Sequence, residues 1–404
     1  MFVVALLALS ATSSAAPAVE PVPAPAPTDD RVTIYTFQGR GWGHGVGMSQ
    51  WGARGRALAG WSPKRILRHY YRNTQLRRGP AGAIRVLLAT SRKRLELTSP
   101  VAWQVVDEGA NPRRALLLRR DDRYVFRRAG EKIELRKAGK RVALFSGSVR
   151  IQARVKSSHI RVIGVGVGNG GRRYRGALRL HKGRRGLDIV NQVNLEHYLY
   201  GVVPREVPSQ WARDAAAAVE AQAIAARTYA LATRKDRGTY DVFPDVRSQV
   251  YGGVEAESPG TTRAVNRTRR TVITHRGQVI TAFFFSTSGG RTENNENVFS
   301  GAPLGYLRSV PDRFDRVSPL HRWSDPPRFT AAQLGKELGL SGPVTALKVT
   351  SRGRSPRVLT AVAVTANGRT TFRGTELRAK LGLNDTWFTP KRQRVSSARV
   401  AELT

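Results

Sequence analysis

The sequence predicts an α+β fold, with mixed strands, a central alanine-rich helix and a β-rich accessory region. Three observations predict it. From Ala83 to about Val193, apolar and polar residues alternate in short runs ("AIRVLLA", "WQVV", "YVFRR", "KIELRK", "VALFSGSVRIQARV") punctuated by turn residues, the pattern of half-buried strands. Trp211 to about Arg234 reads "WARDAAAAVEAQAIAARTYALATR", a strong helix whose small residues let neighbours approach closely. Residues 322–388 return to strands ("VTALKVTS", "VLTAVAVTANGRTTF") mixed with short helices around Ala331–Leu338 and Gly374–Leu381. No tandem repeat is present.

Taken in order, the chain opens on an apolar run, Phe2 to Leu9, too short to span a bilayer. Small residues at Ala11 to Ala16 offer an A-x-A-like cleavage site, so residues 1–16 read as a secretory signal peptide and residues 17–31 as a Pro/Ala linker. The run lacks a basic n-region, which points to a start upstream. Residues 32–78 hold a glycine-histidine segment and two helices, Met48–Ala59 and Pro63–Tyr71, the second begun by Ser62-Pro63 as N-cap and first residue. The β-rich region, 83–193, precedes a core, 194–310, and then the α+β part, 322–388. A basic tail, 390–404, reads as loose.

The 404 residues include 68 Lys+Arg against 29 Asp+Glu, a net charge of +39. Such a surface attracts polyanions. Secretion favours anionic wall polymers over nucleic acid. The 40% hydrophobic content supports a real core, and the absence of cysteine excludes disulfides, thiolate metal sites and Cys nucleophiles. The remaining histidines are scattered without ligand spacing, so no metal and no cofactor are expected.

The chemistry concentrates in "NLEHYLYGVVPREVPSQW". Pro204 and Pro208 bracket Glu206, which places it on a stiff loop just before a helix capped by Ser209. Apolar Tyr198, Val207 and Trp211 would raise its pKa, as a general acid needs, while the helix N-terminus would lower it. Spacing alone leaves two readings open, a cap or an acid. Gln222 sits seven residues before Tyr229, on one helix face. It serves either buried backbone groups or a ligand. Ser248, Gln249 and Tyr251 of "RSQVYGG" line a saccharide subsite or pack in the core. Ser286 and Ser288 of "STSGG" bind sugar at a strand end or close an ST-turn. Arg205 meets an acidic sugar substituent or belongs to the basic background. Glu293 and Glu296 are the candidates for a second carboxyl.

In "GRGWGHGVGMSQWGARG" glycine falls at every second position from Gly39 to Gly47, so one face of the backbone is bare and open to close approach. It lacks the Lys-Ser/Thr of a phosphate loop.

Together these motifs ("VNLEHYLYGVVPREVPSQW", "EAQAIAARTYAL", "SQVYGG", "AFFFSTSGGRTENNENVF" and "GRGWGHGVGMSQWGA") resemble the stage II sporulation protein D family, also called the SpoIID/LytB or amidase-enhancer domain, from about Val32 to Phe388. The resemblance implies a lytic transglycosylase. Such an enzyme cleaves the MurNAc-β-1,4-GlcNAc bond of stem-peptide-free peptidoglycan and leaves a 1,6-anhydro end. It aligns Glu206 with the catalytic glutamate. A non-catalytic wall-binding protein that recruits an amidase is the other reading the family carries. Some members hold His and Cys before "SQVY" as a zinc site; here that stretch has neither. The Gly-His segment comes last in the family's sporulation enzyme and first here, an order seen in secreted actinobacterial-type relatives. Both chain ends must then reach one place. This predicts that the segment packs beside Glu206 with its bare face toward helix or glycan, with His44 and Gln50 as positioning groups and Trp42 and Trp51 as core or sugar platform; the other reading is that the glycines only allow tight packing and His44 is a satisfied buried histidine.

Overall fold

The computed structural model describes residues 30–109, 115–164, 171–235, 237–299 and 301–403. The expected signal peptide and nearly all of the linker lie outside the described residues. About a quarter of the structure is helix and somewhat more is strand, as the α+β reading requires.

The alternating stretch forms two six-stranded antiparallel sheets. In one the strands run Ala83–Arg92, Gly186–Asn194, Ala177–Gly183, Val149–Ala153, Trp103–Asp107, Ala115–Leu118 across the sheet. The other is built around Tyr124–Ala129, Leu95–Thr98 and Ile160–Ile163. Alternation puts Val105, Ile151 and Leu180 of the first sheet and Leu97, Phe126 and Val162 of the second into one core, and removing their apolar surface from water holds the two sheets together.

The strand Gly186–Asn194 runs directly into the helix Leu195–Glu206, whose first turn is capped by the Asn194 carboxamide accepting from the Glu196 amide at 2.9 Å. The alanine helix begins later than expected. A short turn, Trp211–Asp214, ends where Ala215 leaves helical geometry (φ −136°, ψ 43°), and the helix proper spans Ala216–Thr233. Ser209 caps neither piece. Small residues let this helix touch four others, Gln50–Leu58, Pro63–Tyr70, Leu195–Glu206 and Pro259–Arg267. The buried Arg227 fork on Glu196 (2.6 and 3.1 Å) ties it to the helix that carries Glu206.

The C-terminal part surrounds a second, smaller core that includes Tyr35, Phe37, Leu334, Leu377 and Phe388. Two corrections follow. The first strand, Arg31–Gly39, belongs here rather than with the glycine segment: it pairs antiparallel with Phe388–Ser396 over nine positions, Arg31 opposite Ser396 and Gly39 opposite Phe388. The chain beyond Pro390 is therefore not a loose tail but an edge strand to Ser396, followed by a short helix, Ser397–Leu403. It shows no apolar alternation because both faces are largely solvated, and an edge tolerates its proline and its charges. The two ends of the fold thus lie side by side, and the glycine segment leaves from the Gly39–Phe388 end of that pair.

Candidate active site

A cavity of about 600 Å³ forms where several parts of the chain meet. Glu206 comes from the end of its helix, Tyr229 from the alanine helix, and Ser248 and Gln249 from the following loop. Phe283 to Ser286 form another wall, and Trp42 to His44 of the glycine segment the one beside it. Arg378, on the helix Gly374–Lys380, closes the last side.

Glu206 is the last residue of Leu195–Glu206, not the residue before a helix N-terminus. Pro204 sits inside that helix, which ends two residues later with the Val207 amide donating to the Val203 carbonyl at 3.1 Å. The dipole argument therefore reverses sign: unpaired carbonyls at a C-terminus disfavour a carboxylate. Burial among apolar walls is the main cause that lifts the Glu206 pKa from 4.5 to about 7, against the Val250 amide, which faces the carboxyl and lowers it. Burial, and secondarily the Glu206 charge, raises Tyr229, so its phenol keeps its proton. Glu206 is the sole carboxyl among the described lining residues.

Gln249 is fixed from behind: its Oε1 accepts from the Tyr198 hydroxyl at 3.3 Å and its Nε2 donates to the Ala226 carbonyl at 3.4 Å. Ser248 Oγ accepts from the Phe243 amide at 3.1 Å. Its own hydrogen stays available to a ligand. Ser286 Oγ lies 3.2 Å from Thr287 Oγ1. Trp42 is 49% exposed at the cavity, while Trp51 packs edge-on against Trp211 and serves the core.

The glycine segment answers its own spacing. Trp42 exchanges backbone hydrogen bonds with Thr287 (2.8 and 3.0 Å), Met48–Ser49 pairs parallel with Phe284–Phe285, and the Glu293 amide donates to the Gly45 carbonyl at 2.8 Å. Gly41, Gly43, Gly45 and Gly47 all have positive φ. The bare face meets protein: a Cβ on Gly43 would lie 2.8 Å from Phe285 Cβ, and one on Gly47 would strike the Phe283 carbonyl. Gly47→Ala is accordingly expected to destabilise the fold by at least about 2 kcal/mol, since the left-handed conformation alone costs an alanine 1–2; a shift in the urea midpoint measures it.

His44 stands on the cavity but offers no free nitrogen. Its Nδ1 accepts from the Val46 amide at 3.1 Å, so Nε2 carries the proton and donates to the Phe284 carbonyl at 3.0 Å. Burial lowers its pKa to about 4. It is a neutral clip between segment and wall.

Other site candidates lie elsewhere. Gln50 is buried beside the N-cap Ser49, outside the cavity lining. Gln222 is buried within the helix bundle away from the cavity, with neither amide atom hydrogen-bonded. Tyr251 is buried against Tyr198 and Tyr174 and donates to Asn191 Oδ1 at 2.9 Å. Ser288 is buried; its Oγ accepts from the Gly290 amide at 3.1 Å and its amide donates to Asp315 at 2.8 Å, so the turn reading holds for it. Arg205 is exposed beside Gly252, off the cavity. Glu293 is fully buried and Glu296 pairs with Arg308. Neither faces Glu206; both line a different, polar cavity.

Sequence reasoning missed Arg378. It is half-buried, with Nε donating to the Leu383 carbonyl at 3.3 Å, and is the cavity's one cation among the described residues. Nothing in "GTELRAK" separates it from the many surface arginines; only the fold brings it to the wall of the cavity that Glu206 also lines.

Residues 183–275 match the family model described as stage II sporulation protein. The chain is 34% identical over 222 residues to the stage II sporulation protein D of Bacillus subtilis (strain 168), covering 50% of this chain and 62% of that one. It is 33% identical over 223 residues to the stage II sporulation protein D of Bacillus amyloliquefaciens, with the same coverage. It is 37% identical over 118 residues to a Bacillus subtilis protein named amidase enhancer, covering 29% of this chain and 15% of that one. The match thus spans about three-fifths of the stage II relatives' length. No solved structure matches the chain. The family match takes in Glu206, Ser248 and Gln249, whereas the glycine segment, Ser286 and Arg378 lie outside it.

Proposed function

We propose that this chain, which belongs to the stage II sporulation protein D family, is a secreted, wall-associated lytic transglycosylase that cleaves peptidoglycan glycan strands with Glu206 as its single acid and base. One observation carries the reading: a lone carboxyl, its pKa raised by burial to about 7, lines a cavity large enough for a disaccharide. A hydrolase needs two carboxyls, one to protonate the leaving oxygen and one to activate water or attack the sugar. An intramolecular displacement needs one. Glu206 gives its proton to the glycosidic oxygen as the C1–O bond breaks. The carboxylate so formed then takes the proton of the muramoyl 6-hydroxyl as that oxygen bonds to C1. The product is a 1,6-anhydro end, no water is consumed, and Glu206 is returned protonated.

The remaining walls have matching roles. Trp42 offers a ring face to a pyranose, Ser248, Ser286 and Gln249 meet sugar hydroxyls, and Arg378 takes the acidic substituent first assigned to Arg205. The neutral Tyr229 hydroxyl steadies the carboxylate stage. Partners under this reading are glycan strands and, through the +39 charge, anionic wall polymers.

Digestion of purified peptidoglycan, intact and freed of stem peptides, tests the proposal by product analysis. Anhydro-muramoyl ends are expected. Reducing ends without anhydro sugar would make it a hydrolase. Binding without turnover on both substrates would favour the wall-binding role that the amidase-enhancer relative's name suggests. Because the acid form must be present, the rate should fall as pH rises through about 7; a rate still climbing at pH 9 would contradict a protonated Glu206.

A further inference from the structure

A second cavity, of about 470 Å³, opens between the helix Pro63–Tyr70, the loop after the STSGG turn and the hairpin of Ala346–Arg352 and Val358–Thr365. Four guanidinium groups reach its wall from separate parts of the chain: Arg72, Arg291, Arg308 and Arg354. Asn294 and Ser309 add polar groups, no lining residue is acidic, and none is shared with the Glu206 cavity.

The nearby carboxylates are committed elsewhere. Glu296 holds Arg308. Asp312 is taken by Arg56 and Tyr70. Glu293, fully buried, accepts from the backbone amides of Asn294, Arg354 and Ser355 and from the Asn297 and Ser355 side chains. It fixes the turn that presents Arg354 instead of neutralising it. Arg291 reaches only Ser309 Oγ, at 3.2 Å. Among the described residues, Arg72, Arg291 and Arg354 have no carboxylate partner. A basic chain scatters unpaired arginines over convex surface, where solvent separates them. Three facing one hollow repel each other unless an anion enters.

We infer that this cavity binds the phosphate groups of a phosphodiester-linked polyol or sugar polymer. Guanidinium forks match phosphate oxygens two at a time. A single carboxylate offers one charge and two oxygens to three guanidiniums, whereas two successive phosphodiesters bring two charges and four non-bridging oxygens along one chain, enough for each fork to find an acceptor. A polynucleotide also carries phosphodiesters, but it binds single-stranded grooves by stacking bases on aromatic rings, and no aromatic ring lines this cavity. The site stands apart from Glu206 and holds whether or not that residue is catalytic. Functionally it would anchor the protein to anionic wall polymer while the first cavity engages glycan.

Binding of a synthetic poly(glycerol phosphate) to the full chain tests this at several salt concentrations. Arg72→Gln/Arg291→Gln/Arg354→Gln is expected to weaken binding about tenfold or more and to flatten the dependence of log K on log salt by roughly 2, for the phosphate contacts removed. The charge-matched control Arg141→Gln/Arg154→Gln/Lys156→Gln, all exposed positions, should change it less than about twofold. Arg72→Gln/Arg354→Gln removes only exposed side chains and covers the case in which the triple variant misfolds; it should still lose several-fold. Equal losses from the pocket and control triples, or no loss from the double, would overturn the site. Tighter binding of a single-stranded oligonucleotide, lost in the same variant, would overturn the ligand class.

Discussion

Glu206→Gln is expected to abolish release of anhydro-muramoyl ends, a loss of about a hundred- to ten-thousand-fold if the side chain supplies general acid and base catalysis, while leaving glycan binding nearly unchanged. Glutamine keeps the shape and the Val250 contact but carries no transferable proton. The same variant should be more stable than the parent above neutral pH. The carboxyl titrates near 4.5 when unfolded and near 7 when folded. Below 4.5 both states hold the proton and the group is neutral to stability. Between 4.5 and 7 the folded state alone retains it, so parent stability declines as pH rises through that window and levels off beyond it. The full difference amounts to about 3 kcal/mol. Melting temperatures of parent and variant should therefore coincide near pH 4 and separate near pH 8. Loss of activity without this separation would mean that Glu206 is ionised in the folded protein and the acid role is misassigned. Retained activity would remove Glu206 from the chemistry altogether.

Much of this was legible in the chain itself, for a physical reason. Period-two alternation, capping pairs such as Ser62-Pro63 and a run of alanines are local signals, and the elements they foretold formed, the alanine helix starting five residues late, at Ala216, because Ala215 breaks helical geometry. What depended on long-range pairing was not legible. Residues 388–396 lack alternation, so only their backbone pairing with Arg31–Gly39 makes them a strand. Glu206 was expected on a loop because Pro204 and Pro208 read as breaks, yet the helix Leu195–Glu206 runs two residues past Pro204. The apolar setting of Glu206 was expected from Tyr198, Val207 and Trp211; the sign of the helix end was not. Ser248, Gln249, Ser286 and Trp42 line the cavity, whereas Tyr251 and Gln222 are core. Short polar motifs do not say which way a side chain faces. Arg378 illustrates the limit: one arginine among a large excess of bases becomes distinctive only once its helix is docked.

That docking rests on a buried ion pair whose removal should have the largest effect on stability. Arg357 and Asp385 are both inaccessible, joined by two hydrogen bonds of 2.8 Å. Arg357 also donates to the carbonyls of Ser288 (3.0 Å) and Arg291 (2.8 Å), and its guanidinium fills the space left by the missing side chain of Gly45. One side chain thus joins the C-terminal part, the STSGG turn and the glycine segment. Asp385→Ala would strand a buried charge and is expected to destabilise the protein by about 3–5 kcal/mol, read as a lower urea midpoint. Replacing both partners, Arg357→Met with Asp385→Leu, should recover a large part of that loss, because a matched apolar pair carries no desolvation penalty. It should not recover turnover fully, since the Ser288 and Arg291 carbonyls would lose their donor and the wall bearing Ser286 would loosen. Stability restored with activity still depressed, at an unchanged pH midpoint, separates positioning from acid chemistry. If Asp385→Ala unfolds at the parent's midpoint, the pair does not hold the C-terminal part in place, and the place of Arg378 on the cavity wall must be secured by the terminal strand pair and by contacts such as the Gly43 amide on the Asn384 carbonyl.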